Sequence, residues 1–338
     1  MQRRRSALYP EQIYYEPSAL DYPLGKYLKE RFSGVPWTPI ASHNRIAELQ
    51  SQPNRNFPRM KQNLIIGIRK THRYVPNRKV SDFLVPYTSS GCSAMCLYCY
   101  LVCNYNKCSY LRLFVNREEM MRKLIQAARS ADRDLTFEIG SNSDLVLENT
   151  VTGNLPWTIE SFAKHERGFL TFPTKFDSVE PLLPLEHRGR VIARMSVNPR
   201  EIVRKVELGT SPLENRIAAL NRLAEAGYRV GLLIAPVILL ENWTSLYRGL
   251  LDALEAGLSP AVKRQMFIEI IFMTYSYVQN AINREAFPGA VELYSREQMT
   301  GRGRGKYCYR PPLRAEGEQF LRREIGARFG EDKILYVV

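Results

Sequence analysis

Long apolar runs are missing from this chain. No stretch of its 338 residues approaches the roughly 20 consecutive apolar residues that a membrane span needs. The opening residues, MQRRRSALYPEQ, are basic with no apolar segment behind them, so no secretory signal is expected and the cytoplasm is the expected location. Cysteine is sparse and unevenly placed. There are six, and five lie between Cys92 and Cys108, which excludes a disulfide framework and points to metal binding or catalysis. Histidine is scarcer, at four, and none lies near those cysteines. No internal repeat or low-complexity tract stands out.

What is present is an ordinary globular composition, 45% apolar and 24% charged, able to bury a sizeable core. The length suits one large α/β domain with additions. The formal net charge is +14, with basic groups at RRR (3–5), GIRKTHRYVPNRK (67–79) and RGRGK (302–306). Such a surface, with tyrosines nearby, suits a polyanion, most simply nucleic acid. A solubilising surface without a partner is the plainer alternative.

Residues 1 to about 80 read as irregular, with a helix near 44–50. Beyond them an alternation begins. Segments 82–90, 135–143, 168–176, 190–198, 229–239 and 266–276 read as apolar strands. Between them, NREEMMRKLIQAARSA (116–131) reads as a helix with Asn116 and Glu119 as a capping box. SPLENRIAALNRLAEAG (211–227) reads as another, with Ser211 as its cap and Pro212 in its first turn. Six strands separated by helical stretches predict parallel βα units. Ser143, Lys175, Ser196 and Asn198 gather at strand C-terminal ends, the face that carries active sites in βα barrels. The Gly- and Arg-rich tail from Tyr294 predicts a hairpin or a loop.

Cys92, Cys96 and Cys99 have the spacing C-x3-C-x2-C in a loop after the first strand of this series. Three thiolates on a short loop can hold three irons of a [4Fe–4S] cube. The fourth iron is then open to a chelating molecule, and S-adenosylmethionine (SAM) can supply an amino group and a carboxylate. Electron transfer into the sulfonium would release a 5′-deoxyadenosyl radical. The competing reading is a structural zinc on Cys92, Cys96, Cys99 and Cys103, although zinc prefers separated C-x2–4-C knuckles, often with His. Cys103 and Cys108 read either as buried apolar residues or as reactive thiols beside the cluster.

Taken together and in order, GCSAMCLYCYL, FPTKF, GTSPLENRI, AGYRVGLLIAPV and GKYCY resemble the spore photoproduct lyase family, from about Tyr22 to the C-terminus. The resemblance implies a radical SAM carbon–carbon lyase. Its substrate would be 5-thyminyl-5,6-dihydrothymine, the thymine crosslink of ultraviolet-damaged spore DNA, which it returns to two thymines. It implies a partial (β/α)6 TIM-type barrel, residues 81–290, with an N-terminal extension (1–80) packing on it and a C-terminal β-hairpin segment (291–338) contacting DNA. A stacked dinucleotide cannot enter a barrel pocket, so the lesion must be flipped out. Arg302, Arg304, Lys306 and Tyr307 would contact phosphate and wedge bases. Lys175 and Ser196, with Ser143, would bind the methionine end of SAM. Asn198 stands with them at its strand end, and Ala235 in IAPV would lie against the adenine. Tyr98 and Tyr100 match two tyrosines that return hydrogen to the deoxyadenosyl radical. Double-stranded DNA, a flavodoxin- or ferredoxin-type reductant and the spore-core cytoplasm complete the expectation, with no membrane partner.

One position departs from the pattern. Bacillary members carry a hydrogen-donating cysteine in a C-x-S-D setting, and Ser141 stands there in this chain. An O–H bond is much stronger than S–H, so serine cannot donate in its place. Cys103, Cys108 or Cys308 would take over the donor role, or Ser141 is an engineered replacement. Two further readings stay open: a lyase-like radical SAM enzyme with a different nucleic-acid or nucleoside substrate, and a non-catalytic nucleic-acid-binding protein with a structural metal.

Overall fold

The computed structural model describes residues 9–104 and 110–338. These divide into two compact units, each built from separated stretches of chain. The first takes residues 9–93, 110–172 and 180–191. The second takes 94–104, 173–179 and 192–338.

In the first unit, residues 9–80 are not the irregular segment expected. Strand Gln12–Tyr15 pairs in parallel with both Trp37–Pro39 and Asn63–Gly67, and the latter pairs with Leu111–Phe114. Helix Pro23–Arg31 starts on a proline and ends on basic residues, as helix termini favour. Its Leu24 and Leu28 pack with Ile13, Leu64, Ile66 and Leu113 of those strands. The helix expected near 44–50 is a single turn, Ala47–Gln50.

The unit's other strands are Phe83–Val85, Thr136–Ile139 and the greater part of Phe169–Thr174, paired in parallel. The strand expected over 82–90 breaks at Pro86, which has no N–H for a ladder. Past the break, Ser89–Ser90 pairs with Leu111–Phe114 instead. Helix Arg117–Ser130 begins after Asn116 as expected, but the capping box is not made. Asn116 Oδ1 accepts from the Arg69 amide, and Nδ2 donates to Arg69 O and to Glu119, so the side chain clips a neighbouring strand end.

The second unit holds almost all of Val191–Val197, then Arg229–Val237, Ile268–Phe272 and Ile334–Val337, again in parallel. Val191–Val197 is buried at every position, the mark of a strand covered on both faces. Helix Leu213–Glu225 follows Pro212, and Ser211 does not cap it. Its hydroxyl lies 2.6 Å from Asp177 Oδ1. The expected strand over 266–276 is interrupted after Phe272. Thr274–Ser276 enters an antiparallel sheet with Lys306–Tyr309 and Met299–Gly303. The tail thus forms the hairpin. Its two-residue turn is Arg304–Gly305, with φ of 52° and 68°, the left-handed geometry whose twist suits a tight hairpin. Helix Pro311–Phe329 and strand Ile334–Val337 carry the chain on. Among the described residues no helix is long and apolar enough to cross a membrane.

Candidate active site

The cysteine loop is where the chain passes from the first unit to the second. Cys92, Cys96 and Cys99 are thiols, not members of disulfides. Cys92 lies in the first unit, one residue before its opening stretch ends at Ser93. Its carbonyl accepts from the amine of Lys61, which is buried at 2% exposure. Met95–Cys96, in the second unit, pairs antiparallel with Glu207–Leu208. Leu97 N donates to Val206 O at 2.9 Å, and Leu97 O accepts from Asn283 Nδ2 at 2.7 Å. The loop's backbone is therefore held on both sides. Cys108 and the side chain of Cys103 lie outside the described residues.

Within the second unit, five of the expected residues meet around one that sequence reasoning missed. Glu207 is 1% exposed. Its Oε1 accepts from the Tyr98 phenol at 2.5 Å and from Asn198 Nδ2 at 2.9 Å, and lies 3.7 Å from Lys175 Nζ. Oε2 lies 2.7 Å from Nη2 of Arg216, a contact of charges, while that nitrogen donates to Thr210 Oγ1. Arg216, wholly buried, also donates to Ser211 O and Ser196 O. Burial alone would raise the Glu207 pKa. The cations Arg216 and Lys175 outweigh it and bring the carboxyl to about 2. Burial, and then the Glu207 charge, push the Tyr98 phenol well up, so it stays protonated.

Lys175 follows strand Phe169–Thr174. It donates to Ser196 Oγ at 2.5 Å and to Ala235 O at 3.0 Å, and Ser196 donates to the same carbonyl. Its side chain is 20% exposed, so the amine reaches the surface of this cluster. Asn198 is wholly buried, with its amide on Glu207 and its carbonyl accepting from Tyr247, so it braces Glu207. Tyr100 is half exposed and outside this group.

Ser143 belongs to the first unit. Its backbone bridges to Gly91, and its hydroxyl lies 2.7 Å from Ser89 Oγ, which in turn reaches Glu148 Oε2 at 2.5 Å. Thr88, Thr152 and Asn154 also donate to that carboxylate. Burial dominates these hydrogen bonds and raises the Glu148 pKa. Ser141 is half-buried in the turn before Ser143.

On the hairpin, Arg302 and Arg304 are exposed, and Lys306 and Tyr307 are partly covered. Arg302 donates to Thr274 Oγ1, and the Tyr307 ring lies 4.6 Å from that of Tyr294. Cys308 is half-buried on the same strand, with its backbone opposite Thr274.

The sequence matches the model of the spore photoproduct lyase family over residues 8–338. The chain belongs to that family. Spore photoproduct lyase of Bacillus subtilis (strain 168) is 31% identical over 335 residues, 97% of this chain and 98% of the relative. That of Geobacillus sp. (strain Y412MC61) is 28% identical over the same shares. A solved spore photoproduct lyase mutant with bound AdoMet and dinucleoside spore photoproduct superposes with a TM-score of 0.89 at 28% identity, covering 98% of this chain and 99% of that one. As a spore photoproduct lyase family member the chain is an enzyme, and its α/β fold of the partial-barrel type is the fold expected from the sequence. Arg216 lay within GTSPLENRI, one of the motifs that carried the resemblance. Glu207 lay two residues before it, in EIVRKVELGT, where nothing in the local sequence set it apart from the other charged residues.

Proposed function

We propose that this chain repairs 5-thyminyl-5,6-dihydrothymine in double-stranded DNA to two thymines, using a [4Fe–4S] cluster on Cys92, Cys96 and Cys99 together with SAM. The observation that carries the reading is the C-x3-C-x2-C loop in a chain that matches the family nearly end to end. When bound, the cluster and SAM supply the one-electron chemistry that starts hydrogen abstraction. The donor set fits. Three thiols stand on one short loop. Thiolates from one short loop suit the separate irons of a cube, whereas structural zinc prefers separated C-x2–4-C knuckles, often with His.

The chain's own groups then have separable tasks. Lys175, steadied by Ser196 and Ala235 O, presents an ammonium to the SAM carboxylate. Ser196 and Ser143 offer hydroxyls, and Ala235 offers backbone toward the adenine. Tyr98 holds its proton beside Glu207, and Tyr98 and half-exposed Tyr100 are the two phenols that would pass hydrogen. Arg302, Arg304 and Lys306 on the hairpin meet phosphates, and Tyr307 enters the base stack. Ser141 cannot donate hydrogen to a carbon radical, so a cysteine elsewhere does: Cys308 on the hairpin, or Cys103 or Cys108 beyond the described side chains. A flavodoxin- or ferredoxin-type protein supplies the electron, in the cytoplasm of the spore core.

The test is anaerobic. The protein is reconstituted with iron and sulfide, reduced, and given SAM and DNA carrying the lesion, and thymine is quantified by mass spectrometry. Repaired thymine with little free 5′-deoxyadenosine supports the reading. Free 5′-deoxyadenosine with thymine adducts marks a site that engages the lesion without an efficient donor. No SAM cleavage beyond background with this DNA overturns the substrate and favours a different nucleoside.

A further inference from the structure

We propose that Glu207 is the positioning residue of this site, clamping the cysteine loop through its backbone and Tyr98 through its carboxylate. The inference rests on the proposed function for its purpose, but its geometry stands alone. Residues 206–208 hold Met95, Cys96 and Leu97 by strand pairing and by the Leu97 N to Val206 O hydrogen bond. The Glu207 side chain then reaches past the same loop to the Tyr98 phenol. One residue thus grips the loop at two points, on either side of Leu97.

A buried carboxylate does this only if its own charge is matched. Arg216 supplies that match, and its other donors fix it to Ser211 O, Ser196 O and Thr210. Asn198 braces the same oxygen that takes Tyr98. Lys175, 3.7 Å away, is oriented by the same charge. Moving Glu207 therefore moves Cys96, Tyr98 and Lys175 together. Glutamine keeps the length but not the function. Its amide nitrogen would face an Arg216 nitrogen, donor against donor, and two cations would lose their anion. Aspartate keeps the charge at a shorter reach.

The experiment uses the full chain without cluster, SAM or DNA, so its outcome does not depend on whether the lesion is the substrate. A maleimide is added to wild type, Glu207→Gln, Glu207→Asp and Tyr98→Phe, and labelling of each cysteine is timed by peptide mass spectrometry. Cys96 is buried, so its labelling reports local opening of the loop. In Glu207→Gln the Cys96 rate is expected to rise about tenfold or more, with Cys308 unchanged as the internal control. Tyr98→Phe gives a smaller rise, and Glu207→Asp recovers most of the protection. A Cys96 rate within about twofold of wild type in Glu207→Gln overturns the proposal. So does an equal rise at Cys308, which would mean general loosening. After reconstitution, Glu207→Gln is expected to raise the KM for SAM through Lys175, whereas Tyr98→Phe leaves that KM unchanged and lowers kcat.

Discussion

Glu148 and Glu207 are the same residue, each 1% exposed, one in each unit, yet they are held in opposite ways. Glu148 takes hydrogen bonds from neutral groups: Ser89, Thr88, Thr152 and Asn154. Glu207 has two cations, one wholly buried. Burial therefore raises the pKa of the first, and the cations depress that of the second to about 2. Hydrogen bonds from hydroxyls and amides do not replace a counter-ion when a charge is buried. Hydroxyls can turn to donate or accept, whereas guanidinium can only donate. The first carboxyl therefore tolerates either protonation state, and the second is committed to its charge.

The sharpest way to break this contrast is Arg216→Leu. It leaves Glu207 buried with its main cation gone, and should cost about 3–5 kcal/mol of stability in urea unfolding. A loss below about 1 kcal/mol would mean that Lys175 alone suffices. Lys175→Met should weaken SAM binding at least about tenfold by equilibrium dialysis of the reconstituted protein. Because the lysine is partly exposed, stability should change by only about 1 kcal/mol. Unchanged affinity would remove Lys175 from the cofactor site.

Smaller effects are expected around Glu148. Thr88→Val deletes one donor at nearly constant volume and should cost about 1–2 kcal/mol. Glu148→Gln should change stability at neutral pH by less than about 1 kcal/mol, because Ser89 and Thr88 can reverse their hydroxyls to accept from the new amide. Its signature is in the pH dependence. A raised folded pKa means the folded state holds the proton longer than the unfolded chain. That contribution is complete below the unfolded value of 4.5 and is lost as pH rises through the folded one. Wild type should lose stability over this window relative to Glu148→Gln in paired urea titrations. Parallel curves would show that Glu148 is not shifted.

The cysteine loop, the parallel strands and the polar residues at their ends were legible in the sequence, because each is a local pattern. What escaped was set by distant partners. Gln12 pairs with Asn63, so residues 9–67 show their strand character only once both segments are assembled. Tyr98 and Glu207 are 109 positions apart, and no spacing rule joins them. Asn116 and Ser211 had the right residue types for caps, but Arg69 and Asp177 competed for their side chains. Local propensity yielded to tertiary hydrogen bonding in both cases.

The hairpin turn sets two demands against each other. Gly303, Arg304 and Gly305 all have positive φ, and a β-carbon at 303 would meet nothing within 4 Å. Backbone handedness, not crowding, therefore limits which residues this tip can carry. Arginine at 304 accepts a conformation that glycine adopts without strain, at a cost of about 1 kcal/mol. Replacing it with glycine would relax the turn and remove an exposed cation from the hairpin tip, so a protein engineered only for heat resistance would give up charge that the proposed DNA contact needs.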